Sequence, residues 1–329
     1  MDKSAKIYVA GHRGLVGSAI VKALENGGYR NLLLRSRSEL DLLDLPAVRY
    51  FFRSEKPDYV FIAAARVGGI AANNTFPAEF IHENLLIAAH LIDESFRNGV
   101  KRLLYLGSSC IYPRDCPQPI LERYMLTGPL EATNRAYALA KLAGVEMCWS
   151  YNREHGTRFL AAMPTNLYGP GDRYDLQGSH VIPALIRKCH EAKASGSGEV
   201  VIWGTGAPMR EFLYSEDAAG AFIHLMSLPE PEFGRACGDA DQPPLVNVGS
   251  GMELSIRDLA HKVCDAVGFK GALRFDDSKP DGTPRKLLDV SRLASLGWNS
   301  STTLEVGLQR AYDDYLSRFC PVAVQAGST

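Results

Sequence analysis

Short, continuously apolar runs alternate with segments of helical periodicity through the first half of this chain, and that alternation limits the fold more than any other feature. The runs are KIYVAG, NLLLR, DYVFIAA, KRLLYLG and RFLAAMP. Between them the spacing predicts a helix from about Ser18 to Asn26 closed by Gly27 and Gly28, a second after Pro46, a long third ending at Asn98, and a fourth from about Arg135 to Arg153. A run that is apolar without alternation belongs to a strand covered on both faces, and strands joined through helices pair in parallel. The expected fold class is α/β, with a doubly wound parallel sheet.

The second half keeps the alternation but interrupts it with YGPGDRYDLQGS, GTGAPMREF, PEPEFGRACGDADQPP and DDSKPDGTP. Irregular segments of that length in a compact fold are binding loops or excursions between domains. The expected division is a nucleotide-binding domain over residues 1–168, with a later contribution from about 214–250, and a smaller, interleaved substrate-binding domain over residues 169–329. SIRD and TTLE are capping-box patterns, so Ser255 with Asp258 and Thr302 with Glu305 are expected to start helices.

Charge narrows the possible partners. The formal net charge is -1 with 22% charged residues and no basic block, which argues against a nucleic-acid or anionic-membrane surface. The seven cysteines are odd in number and scattered without metal-ligand spacing, so they are read as reduced thiols of a cytoplasmic protein that holds no metal. The N-terminus enters a strand at once, and no apolar stretch reaches the length of a signal peptide or a membrane span, so neither export nor insertion is expected.

The first run ends in AGHRGLVG, which places Gly11, Gly14 and Gly17 at a strand-to-helix turn. Glycines there let the backbone turn sharply and approach a pyrophosphate, whose charge meets the free N–H groups of the helix N-terminus. An NAD site carries an acidic residue about 20 residues further on for the ribose hydroxyls. Here Arg35 and Arg37 occupy that region, and Arg13 lies inside the glycine turn. Guanidinium groups match a 2′-phosphate, which favours NADP; the competing reading makes the arginines surface charges and gives the ribose to Glu39.

Tyr137 and Lys141 in YALAK lie one helical turn apart on one face. A nearby ammonium favours the ionised phenol, making it usable as a proton donor and acceptor. The pattern becomes specific with Ser108, which opens SSC at the end of the KRLLYLG run. A glycine turn, a strand-end serine and Y-x-x-x-K in that order resemble the extended short-chain dehydrogenase/reductases. GHRGLVGSAI, AAARVGGIAANNTFPAEFI, LGSSCIYP, MPTNLYGP, SHVIPALIRK, VVIWGTGAPMREFL and KPDGTPRKLLDV sharpen this to a resemblance with the GDP-L-fucose synthase family, from about residue 6 to 316.

That resemblance implies a Rossmann-type sheet, NADPH as cofactor, and GDP-4-keto-6-deoxy-D-mannose as substrate, epimerised at C3 and C5 and then reduced at C4. It implies Ser108, Tyr137 and Lys141 as the reductive set, Cys110 as the base for C3 and C5, and His180 as the acid on the opposite face. It further implies Asp41, Leu42, Ala63, Pro164 and Leu167, with Lys141 and His180, around the cofactor. Ser109, Asn166, Lys188, Trp203, Arg210 and Asp281 would lie around the sugar nucleotide. Lys188 follows Arg187 where the family often has two arginines, so a bidentate phosphate grip becomes a point charge. A homodimer joined through residues 77–98 and 135–153 is also implied. Read singly, Cys110 could be a buried packing residue, His180 a helix-start residue and Trp203 a core residue. Two rivals remain: a related 4-reductase, 4-epimerase or 4,6-dehydratase, the last disfavoured because SSCIYP holds no acid, and a non-catalytic NADP sensor, which would not need Ser108, Tyr137 and Lys141.

Overall fold

The apolar runs become strands whose successive side chains enter different cores. In the computed structural model, which describes residues 1–176, 178–279 and 281–320, the strands in chain order are β1 (Ile7–Ala10), β2 (Leu32–Leu33), β3 (Tyr59–Ile62), β4 (Arg102–Leu106), β5 (Phe159–Pro164), β6 (Asn166–Tyr168), β7 (Glu199–Trp203), β8 (Met209–Tyr214), β9 (Leu245–Val248), β10 (Glu253–Ser255), β11 (Ala272–Asp276) and β12 (Arg285–Lys286). The helices are α1 (Leu15–Asn26), α2 (Leu45–Glu55), α3 (Ile70–Thr75), α4 (Pro77–Arg97), α5 (Arg135–His155), α6 (Val181–Ser195), α7 (Ser215–Ser227), α8 (Glu230–Ala236), α9 (Ile256–Val267), α10 (Ser291–Ser295) and α11 (Leu304–Phe319).

A parallel sheet runs in the order β2-β1-β3-β4-β5-β9. Tyr8, Val60, Leu103 and Phe159 face one core, shared with Val48 and Phe52 of α2, Leu91 of α4 and Val145 of α5. Their neighbours Ile7, Val9, Phe61, Leu104 and Leu160 face the other, shared with Ile20 and Leu24 of α1 and Phe222 of α7. This two-residue alternation with both faces covered makes the strands read as unbroken apolar runs. α7 and β9 complete the layers although more than 200 residues separate them from the first strand. A third core, between α6, α9, α11 and β7–β8, includes Ile186, Val263 and Tyr312. Here β8 pairs with β6, β10 and β12, and β7 pairs with β11.

Several boundaries differ from the sequence reading. α1 begins at Leu15, three residues before Ser18, because its cap is Gly14 itself. NLLLR forms only the two-residue strand β2, and α2 takes Pro46 into its first turn behind the Asp44 cap, a position where the missing proline N–H has no intrahelical partner to lose. Ser255 caps α9 and accepts from the Asp258 N–H at 2.9 Å, but α11 is capped by Thr303, not Thr302. Thr302 instead donates its hydroxyl and its N–H to Asp217, at 2.7 and 2.8 Å. That tie fixes the approach to α11 and shifts the cap by one residue.

Two buried polar groups join distant parts of the chain. Asn247 on β9 accepts from the Tyr112 hydroxyl at 2.6 Å and donates to the carbonyls of Ile120 and Asp289, at 2.8 and 3.1 Å. The fully buried Glu211 carboxylate accepts from the N–H groups of Leu288 and Gly251, at 3.0 and 2.8 Å. Ile120 also bridges to Leu288. The loop after β4 is thus held against the end of β9 and against β12. The Sγ atoms of Cys189 and Cys264 lie 3.7 Å apart, a thiol contact well beyond a bonded distance of about 2.05 Å. No helix among the described residues is long and apolar enough to cross a membrane.

Candidate active site

The turn after β1 is tight for a steric reason. A Cβ on Gly17 would lie 2.1 Å from the Gly11 carbonyl oxygen, and one on Gly11, at φ +83°, would lie 2.7 Å from the Ala64 nitrogen. The turn therefore closes against the end of β3, where the Ala63 N–H bonds the Ala10 carbonyl at 3.0 Å. Gly14 caps α1 without a side chain, and no acidic residue occupies the first helical turn. The result is a set of unscreened N–H groups at a positive helix end, a fit for a dinucleotide diphosphate.

The arginines beyond β2 do not stand alike. Arg35 is half-buried, paired with Glu55 at 2.7 Å, its guanidinium 5.6 Å from the centre of the Phe51 ring. Arg37 is exposed and lies 3.8 Å from Asp41, and Arg13 is exposed on the glycine turn. The Glu39 carboxylate accepts from the Ser36 N–H and hydroxyl, at 2.7 and 2.6 Å. Glu39 is therefore committed locally, which leaves Arg13 and Arg37 as the cations open to a 2′-phosphate. Leu42 packs against the main core and lends its carbonyl to His90 at 2.8 Å.

β4 ends at Leu106, and Ser108 in extended conformation caps a single 3-10 turn, Ser109–Ile111. Its hydroxyl accepts from the Cys110 N–H at 3.4 Å. This turn buries Ser109 and Cys110, each 6% exposed, beside the end of the strand. α5 brings Tyr137 and Lys141 to the same point. It packs close to β4 because residue 144 is glycine: a Cβ there would lie 2.5 Å from the Tyr105 hydroxyl oxygen. Phe80 of α4 sets its ring edge against Tyr137, with centroids 6.2 Å apart.

The electrostatics differ from the expected phenol–ammonium couple. The Lys141 ammonium donates to the Leu106 carbonyl at 2.7 Å and lies 5.8 Å from the Tyr137 ring centre. Burial lowers its pKa to about 8. Burial also pushes the Tyr137 phenol upward, with the neighbouring Cys110 adding to the rise and Ser108 partly opposing it. Lys141 therefore anchors the strand end, and burial favours the neutral form of the Tyr137 phenol. The Cys110 thiol is likewise raised by burial, opposed first by Lys286 and then by Ser108 and Lys141.

His180 is the N-cap of α6 and exposed, while the protein mass around it lowers its pKa by desolvation. It makes no hydrogen bond or ring contact with Ser108, Cys110 or Tyr137 among the described residues. Its loop is nonetheless tied to the start of α3, since the Gly69 N–H donates to the Gly178 carbonyl at 3.1 Å. Pro164 ends β5, and Leu167 and Asn166 lie on β6, where the Asn166 amide donates to the Glu211 carbonyl at 2.9 Å. Arg210 on β8 is half-buried, and burial lowers its pKa against the opposing charge of Asp281. Asp281 accepts from the Thr205 N–H and hydroxyl, at 3.0 and 2.7 Å. Trp203 is 68% exposed, so it is no core residue, and the Lys188 and Lys279 ammoniums lie 5.5 and 6.0 Å from its ring centre. Lys188 also donates to the Val201 carbonyl at 3.1 Å. Sequence reasoning missed Asn134, whose buried Oδ1 has no partner, and Lys286; both line a cavity with Ser109 and Cys110. Asn134 was findable, since it is the cap residue that opens α5, three residues before Tyr137.

Comparison with known proteins identifies the family of the chain. The profile of the NAD dependent epimerase/dehydratase family matches residues 7–236. GDP-L-fucose synthase 1 of Arabidopsis thaliana is 53% identical over 97% of this chain and 95% of that protein. GDP-L-fucose synthase of Escherichia coli K12 is 51% identical over 94% and 96%. Among solved structures, MlghC, the GDP-mannoheptose C4 reductase from Campylobacter jejuni with NADP bound, superposes with a TM-score of 0.87 at 38% identity, covering 96% of this chain and 99% of that one. The profile spans the parallel sheet up to α8, and both synthases align over almost their whole length: the chain belongs to the NAD dependent epimerase/dehydratase family, within the extended short-chain dehydrogenase/reductases.

Proposed function

We propose that the protein is an NADPH-dependent GDP-L-fucose synthase that epimerises GDP-4-keto-6-deoxy-D-mannose at C3 and C5 and then reduces C4. The observation that supports this reading is the 3-10 turn, which buries the Cys110 thiol two residues beyond the strand-end Ser108 and near Tyr137, so that one pocket could serve both reactions. Identities of 51–53% to curated GDP-L-fucose synthases, against 38% to a heptose reductase, support this substrate over a heptose. The nucleotide-binding part is read as residues 1–168 with α7 and β9, and the substrate-binding part as the rest. The protein is read as a cytoplasmic homodimer.

In this mechanism Cys110 removes the proton beside the C4 ketone and His180 supplies one to the opposite face; the ketone makes those C–H bonds acidic, and base and acid must lie across the ring. Bound NADPH supplies a hydride. Ser108 holds the C4 oxygen, Tyr137 protonates it, and Lys141 fixes the strand end that carries the serine. Arg210, Lys188 and Trp203 receive the nucleotide diphosphate and its ring system. Incubation with GDP-4-keto-6-deoxy-D-mannose and NADPH is expected to give a product inverted at C3 and C5 and reduced at C4 by NMR. A product reduced without inversion would assign a 4-reductase instead.

Cofactor choice gives a second expected result. Arg13→Ala with Arg37→Ala should raise the KM for NADPH about tenfold or more, since charged hydrogen bonds contribute about 1.5–3 kcal/mol, and leave that for NADH nearly unchanged. Arg35, already paired with Glu55, should matter less. An unaltered NADPH/NADH ratio in the double variant would make these arginines surface charges.

A further inference from the structure

Lys286 has no role in the mechanism above, yet it shares the Cys110 cavity. It lies on β12, where it pairs in register with Arg210 of β8. The strand is fixed on its far side: the Leu287 N–H donates to the Gln118 side chain at 2.8 Å and the Leu288 N–H to Glu211 at 3.0 Å. Gln118 belongs to the loop that follows Cys110, so the backbone on either side of the cavity is tied together. The Lys286 ammonium forms no hydrogen bond or ion pair among the described residues. A partly buried ammonium without an anion is costly, and a site that keeps one is arranged for an anion that comes and goes.

We propose that Lys286 is the electrostatic partner of Cys110: from across the shared cavity its ammonium stabilises the thiolate that takes the proton from the sugar. The inference rests on the reading of Cys110 as the epimerisation base. In that step a C–H bond breaks, its electron pair moves onto the ketone as an enolate, and an S–H bond forms. Negative charge thus leaves the sulfur, and it must first be held there.

The other charges around the pair favour this assignment. From α5, Lys141 faces the thiol, but its ammonium is bound to the Leu106 carbonyl and its proton is already loosened by burial. Tyr137 of α5 and Tyr105 of β4 also face Cys110, both as neutral phenols. Around Lys286 stand Arg210 of β8, Cys116 and Glu131. Glu131 lies 3.5 Å from Arg114, and Arg285, the strand neighbour, is paired with Glu253. Lys286 is lowered by burial, and Cys110 is the foremost group opposing that fall. Each of the two groups thus favours the charged form of the other.

The test is the pH dependence of iodoacetamide labelling at Cys110, followed by peptide mass spectrometry in wild type, Lys286→Met and Lys286→Arg. Lys286→Met is expected to move the midpoint up by about one pH unit, which lowers labelling at neutral pH about tenfold, and Lys286→Arg to restore most of it. Deuterium exchange at C3 and C5, followed with NADP bound, should fall in kcat about tenfold with little change in KM. An unmoved labelling profile in Lys286→Met, a failure of arginine to rescue, or an absence of pH-dependent labelling in wild type would overturn the proposal. So would a rise in KM alone, which would make Lys286 a contact for the substrate diphosphate. Labelling requires no turnover. If Cys110→Ser kept wild-type exchange, the base assignment would fall while the Lys286–Cys110 coupling could still be read.

Discussion

Replacing Tyr137 with phenylalanine is expected to slow reduction at C4 by about 10²–10⁴-fold, the usual worth of a positioned general acid. The variant removes one oxygen and leaves the ring that packs edge-on against Phe80, so the melting temperature should hardly change. Because burial keeps the phenol protonated, the proton donor is in place throughout the neutral range. The basic limb of the wild-type rate then belongs to Lys141: reduction should decline as the pH rises through about 8, where the ammonium on the Leu106 carbonyl is lost. Exchange of the C3 and C5 protons should continue in the phenylalanine variant. Near-normal turnover by Tyr137→Phe, measured as NADPH oxidation, would remove it from the mechanism.

Cys110→Ser is expected to divide the two reactions the other way. Serine fits the 6%-exposed pocket of the thiol without strain, so the fold should persist. A serine hydroxyl ionises far less readily than a thiol, however, and cannot serve as the base at neutral pH. In D₂O with oxidised cofactor, wild type should place deuterium at C3 and C5 without net reduction, and the serine variant should lose or severely slow this incorporation. With NADPH it should still oxidise the cofactor, now yielding a sugar not inverted at those centres. His180→Gln should impair inversion by leaving the second face without an acid. Wild-type exchange and GDP-L-fucose formation by Cys110→Ser would return the thiol to a packing role.

The parallel sheet was legible because its strands are buried on both faces, so that Tyr8–Ala10 or Leu103–Leu106 read as apolar whichever core each side chain enters. Where local competition decides, the pattern misleads: Thr302 and Thr303 are equally good caps, and only the distant Asp217 selects between them. Spacing along one helix put Tyr137 and Lys141 together, but could not reveal that a carbonyl of β4 would hold the lysine. Lys286 lies inside the stretch KPDGTPRKLLDV, but nothing in that stretch singles it out. Its strand is two residues long, its polar character resembles a loop, and its place beside Cys110 is set by pairing with a strand some 75 residues earlier in the chain.

The Asn247 junction sets an order on biosynthesis. The loop that follows Cys110 is held through Tyr112 and Ile120 to a residue 135 and 127 positions away, and through Gln118 to one 169 positions away. Contacts that span so much chain form after local ones, because the loop entropy must be lost before they form. A nascent chain with its first five strands complete can build most of the nucleotide sheet, but the segment beside the thiol lacks its outer support until Leu287 has left the ribosome. The reaction site is therefore completed late, and a chain halted before β12 lacks the outer support of the segment beside the thiol.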